Sequence, residues 1–128
     1  MIQMSKYTMD KEWFSPATLD KIVSSGANPK WFIDKRLLDF VDQIREYFGK
    51  PLIINQPKLD LTRRGYRTAK ENEDLKGATF SQHLYGRAAD INVVGIPDKQ
   101  VAEYARSIGV PFVLDEPGWT HIDVRNIL

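Results

Sequence analysis

The stretch Ser81-Gln82-His83-Leu84-Tyr85-Gly86-Arg87-Ala88-Ala89-Asp90 decides how the rest of the chain is read. It sets an imidazole, His83, and a carboxylate, Asp90, on either side of Gly86, where a chain turns sharply without a Cβ penalty. Beyond that turn, Ala88 to Val94 reads as a strand entered through small residues, so Asp90 stands on a sheet and His83 reaches it from the preceding loop. The chain has 2 histidines, and the second, His121, falls in another strand-like run from Trp119 to Val124. Two imidazoles and a carboxylate, with one position left for water, make the ligand set of a catalytic rather than a structural zinc site. The same residues also suit a plainer account. A histidine in a half-buried strand is commonly a hydrogen-bonded structural residue, and the spacing from His83 to Asp90 alone arises often by chance.

Composition narrows the alternatives. A chain of 128 residues is long enough for one domain spanning 1–128 and too short for two ordinary ones. A hydrophobic fraction of 42% and a charged fraction of 27% are those of a globular protein. The formal charge of +1 carries no signature of nucleic acid or of an anionic membrane as partner. With no cysteine, disulfides, thiol nucleophiles and cysteine-held zinc are excluded, and any metal is left to His, Asp or Glu. The first ten residues contain no apolar run of the secretory kind, and no stretch approaches membrane-spanning length. The expectation is a monomer that does not insert in a membrane.

Along the chain, Ser15-Pro16 followed by Leu19, Ile22 and Val23 predicts a short helix, capped by the serine and stopped at Gly26. Trp13 and Phe14 before it read as core anchors. From Pro29 to Phe48, Leu37, Phe40, Val41, Ile44, Tyr47 and Phe48 recur at helical spacing, and Gly49 ends the pattern. Lys50 to Asn55 reads as a buried strand and Gln56 to Arg64 as a loop or irregular hairpin. Thr68 and Glu71 make a capping box for a helix to about Leu75. Pro97-Asp98 opens a helix striped by Val101, Tyr104, Ala105 and Ile108; Val110 to Leu114 is a further strand, and Asp115-Glu116-Pro117-Gly118 a turn. Short late turns favour antiparallel pairing, and the whole reads as α+β.

The decapeptide matches S-x-H-x-x-G-x-A-x-D, and Trp119-Thr120-His121 follows downstream. Together with Gly49 to Ile54 and Gly65-Tyr66-Arg67, this resembles the zinc D-alanyl-D-alanine carboxypeptidase and L-alanyl-D-glutamate endopeptidase family of peptidoglycan peptidases, which includes VanX-type dipeptidases and phage endolysins. The resemblance runs from about Phe32 to Arg125. It implies a Hedgehog/DD-peptidase-like fold, a small antiparallel sheet carrying the site with helices on its other face. It further implies that His83, Asp90 and His121 hold Zn2+, that Arg67 binds a substrate carboxylate or carbonyl, and that Ser81 lies beside the first ligand. Tyr85, with Tyr66 and Trp119, is placed at the substrate cleft, the implied partner is a peptidoglycan stem peptide, and the implied location is cytoplasmic or phage-delivered with action on the cell wall.

One departure stands out. The family's general base is an acidic residue three positions before the last ligand, where this chain has Gly118. Glu116 is the first substitute, its turn swinging the carboxylate toward the metal; Asp115, in the same turn, and Asp123, on the strand of His121, are the others. The expectation is therefore zinc-dependent hydrolysis of a stem-peptide bond. The competing expectations are a binding module that has lost its base and a structural phage component built on the same fold.

Overall fold

Four antiparallel strands hold the site in place. In the computed structural model, which describes residues 1–125, β1 (Leu52–Ile53), β2 (Ala88–Val93), β3 (Phe112–Glu116) and β4 (Trp119–Asp123) form one sheet in the order β1-β2-β4-β3. Asp90 of β2 lies opposite His121 of β4, and Leu114 of β3 flanks His121 on the other side. Side chains alternate along a strand, so Ala88, Asp90 and Asn92 share one face with Trp119, His121 and Asp123. Ala89, Ile91 and Ile122 project from the opposite face and are fully buried.

That opposite face is covered by helices. Of α1 (Pro16–Ser24), α2 (Lys35–Phe48), α3 (Ala69–Asp74) and α4 (Asp98–Ser107), α4 packs on β2, β3 and β4, and α2 packs on β2 and α4. Their buried stripes, Leu37, Val41 and Ile44 on α2 and Val101, Ala102 and Ala105 on α4, recur at the helical period. They merge with Trp13, Phe14, Ile91 and Ile122 into one core. The architecture is thus the expected α+β arrangement, with the chemistry on one side of a sheet and the helices on the other.

Several boundaries differ from the sequence expectation, each for a local reason. The run from Pro29 is two elements: a 3-10 turn, Pro29–Phe32, capped by Asn28, and then α2 capped by Asp34, whose side chain accepts from Arg36 N at 2.9 Å. Ile33 between them is extended, which breaks the helix. Tyr47 does not join the core; it is exposed and stacks on Tyr104 with ring centroids 3.8 Å apart. The strand expected over Lys50–Asn55 shrinks to Leu52–Ile53, and Asn55 N instead donates to Glu12 O at 3.1 Å. The polar stretch after it holds a 3-10 turn, Pro57–Leu59.

The largest correction concerns Asp115 and Glu116. They lie in β3, not in a turn, and the hairpin closes on Pro117 and Gly118 alone. Gly118 has φ +95°, the conformation that the third position of a type II turn demands after proline.

Candidate metal centre

His83 sits on a 3-10 turn, Gln82–Tyr85, that feeds β2 through Gly86. Ser81 caps it, its Oγ accepting from His83 N at 3.3 Å, so the serine beside the first candidate ligand fixes backbone. Gly86 has φ +65°, and a Cβ there would collide with the Phe32 carbonyl, so no other residue fits. The close approach is held by Asp34 N donating to Gly86 O at 2.8 Å. Helix entry and candidate ligand are therefore fastened at one point.

Three donors converge on this face. His83 Nε2 lies 3.4 Å from Asp90 Oδ2 and His121 Nδ1 lies 3.0 Å from Asp90 Oδ1, with one ligand atom from each residue within 4.8 Å of the others. Ligands of a tetrahedral ion bound at about 2.0–2.1 Å stand roughly 3.4 Å apart, a spacing comparable to these distances. His83 Nδ1 is 2.7 Å from Gly65 O, an acceptor only, so this nitrogen donates there and Nε2 is the one turned toward the group. The three residues thus could hold a divalent metal ion.

The electrostatics favour positive charge at the same point. Burial pushes the Asp90 carboxyl up, but hydrogen bonds from His121 and His83 outweigh it and hold the group well below the usual carboxylate range. Burial pulls His121 down, and hydrogen bonds to Asp123 and Asp90 more than reverse this, raising it to about 9. Two carboxylates facing one imidazole favour a cation there, whether proton or metal.

Arg67 lies at the edge of the group, Nη2 3.5 Å from Asp90 Oδ2, with Nε donating to Arg63 O at 2.8 Å and Nη1 to Asn72 Oδ1 at 3.3 Å. It lines a cleft of about 260 Å³ together with Arg63, Arg64, Leu61, Leu75 and Trp119. Asp90 and Gly118 also line it, and Asp90 is the single carboxylate among its lining residues. Arg64, 9% exposed, donates to Asn92 Oδ1 at 2.6 Å, and Asn92 Nδ2 in turn donates to Gly118 O at 2.7 Å, which ties the hairpin turn to the cleft floor.

The remaining candidates are dispersed. Tyr85 is half exposed beside Arg87, outside the lining of this cleft, and Tyr66 packs on Phe14 and Phe32 in the core. Asp115 pairs with Thr120, which faces α4, so alternation turns it away from His121. Glu116 pairs with Trp119 and shares the face of His121. Asp123 lies behind the imidazole: its Oδ2 is 2.7 Å from His121 Nε2, and Arg125 grips both of its oxygens. Burial raises the Asp123 carboxyl, but the hydrogen bonds from Arg125 and His121 bring it down to about 2. The sequence reading overlooked Gly65, Asn92 and Arg125. A backbone carbonyl leaves no sequence signal, but Asp123 and Arg125, at alternate positions after His121, were visible as same-face neighbours.

Comparison with protein families matches residues 14–123 to Peptidase M15. The chain belongs to the Peptidase M15 family. The match spans the cap of α1 through the last residue of β4 and so contains all three candidate ligands. Membership makes this a hydrolase of the metallopeptidase class, with a peptide as the kind of substrate. Comparison with curated proteins gave no match. No helix is long and apolar enough to cross a membrane among the described residues.

Proposed function

We propose that the chain is a zinc peptidase that hydrolyses an amide bond in peptidoglycan stem peptides, of the D-Ala-D-Ala carboxypeptidase or L-Ala-D-Glu endopeptidase type. The observation that carries the reading is the convergence of His83, Asp90 and His121, of which Asp90 also lines the cleft that holds Arg67. A bound zinc ion supplies a Lewis acid that polarises a carbonyl and acidifies water near neutral pH.

The chain's own residues do the rest. Arg67, locked by Arg63 O and Asn72, presents a guanidinium to the substrate's carboxylate or to the oxygen that gains charge as the amide is attacked. Loss of such a donor typically costs on the order of 10² to 10³ in rate. Glu116, on the face of His121, takes the proton of the attacking water and passes it to the leaving amine. Leu61, Leu75 and Trp119 give the cleft apolar walls that exclude competing water.

A second reading has its own support: the position from which the family draws its base is Gly118, and no carboxylate besides Asp90 lines the cleft. On that reading the protein holds stem peptide without cutting it. Incubating the purified protein with a synthetic stem peptide separates the two. The proposal expects new amino termini, abolished by a chelator and restored by zinc, and a Glu116→Gln variant that keeps its zinc but loses turnover. Peptide binding with no new termini supports the second reading.

A further inference from the structure

We propose that Asp123 and Arg125 are positioning residues that hold the His121 ring with Nε2 bonded to Asp123 and Nδ1 turned toward Asp90. The inference rests on the reading of His121 as a metal ligand and goes beyond it, because it assigns work to two residues outside the ligand set.

The argument begins with the strand. His121 and Asp123 share a face of β4, and Asp123 is fully buried, so its carboxylate must be satisfied locally. Arg125 does this with two parallel bonds, Nε to Oδ1 at 2.8 Å and Nη2 to Oδ2 at 2.7 Å, while Arg125 N donates to Oδ1 at 3.2 Å. A carboxylate gripped this way is ionised and accepts only. The proton in its 2.7 Å contact with His121 therefore belongs to Nε2. With Nε2 committed to Asp123, Nδ1 is the nitrogen left toward Asp90, 3.0 Å from Oδ1, and a metal ion bound there would take the place of its proton.

Arg125 is itself held. Its guanidinium lies 3.6 Å over the ring of Phe112, and Phe112 is paired with Asp123 across β3 and β4. The device is thus built across two strands. It also removes Asp123 from contention as general base, since both oxygens are engaged and neither reaches solvent. His83 reaches the same end by other means, through the Gly65 carbonyl.

Chelator competition for zinc at neutral pH tests the proposal, with circular dichroism giving the folded fraction of each variant. In Asp123→Asn the Arg125 fork keeps the amide oxygen, so the NH2 faces Nε2 and drives the proton to Nδ1. Zinc affinity per folded molecule should fall 10- to 100-fold. Arg125→Gln, which loosens the carboxylate without reversing it, should fall less and in the same direction. In the zinc-loaded wild type, long-range proton-nitrogen correlation spectra should show the N–H of His121 on Nε2. Affinities within twofold of wild type in both variants would overturn the inference, as would an N–H on Nδ1. His121→Ala supplies the distinguishing arm: unchanged affinity there would overturn the metal-site reading itself, whereas lost affinity there with intact Asp123→Asn overturns the inference alone.

Discussion

Gly86 carries more of the site than any charged residue near it. Any side chain at this position meets the Phe32 carbonyl and must also adopt φ +65°, so Gly86→Ala should cost on the order of 3 kcal/mol and shift His83 away from Asp90. Thermal unfolding with zinc titration checks both effects; a variant that melts and binds like wild type would refute the packing argument. Gly118 behaves oppositely. A Cβ there meets nothing within 4 Å, so Gly118→Ala should cost only the left-handed backbone penalty, roughly 1–2 kcal/mol. Arg67→Ala should lower kcat/KM on the order of 10²-fold while the zinc content of the protein stays the same. Equal loss of zinc would show that Arg67 serves Asp90 rather than substrate.

At the scale of elements, α3 is a brace. The Thr68–Glu71 capping box forms as its sequence predicted, and Glu71 also accepts from Thr18 Oγ1 at 3.1 Å and from Ser15, which binds α1 to the loop carrying Arg67. Burial pushes the Glu71 carboxyl up, but the hydrogen bonds from Ser15, Thr68 and Thr18 prevail and hold it below its ordinary 4.5. A group depressed on folding contributes stability that is present above the unfolded value and lost as pH falls below it. Wild type should therefore exceed Glu71→Gln in Tm near pH 7, and the gap should narrow below about pH 4.5; a gap independent of pH would contradict this. Caps were legible because they are local: Ser15, Thr68 and Gly49 each announce a boundary in three or four residues. The end of β3 was not. Asp115 and Glu116 look like turn residues, yet an edge strand tolerates charge, and the register that enrols them is set by β4.

For the whole molecule, the sheet divides the labour, with one face given to core and the other to chemistry. The three candidate ligands were legible because residue type and order survive in the chain, even though Asp90 and His121 are distant in sequence and meet only by pairing β2 with β4. The hydrogen-bond partners behind them were not, since Gly65 contributes a carbonyl and Arg125 acts through Asp123. A ligand that binds only the folded state stabilises it, by about 2.7 kcal/mol at a hundredfold excess over Kd. Zinc should accordingly raise Tm by roughly 10 °C and a chelator should reverse the shift. The most direct test of the central claim is the zinc content of purified, dialysed protein by elemental analysis, wild type beside His83→Ala. One equivalent in wild type with marked loss in the variant is the predicted result; no zinc in wild type, or the same stoichiometry in both, would contradict it.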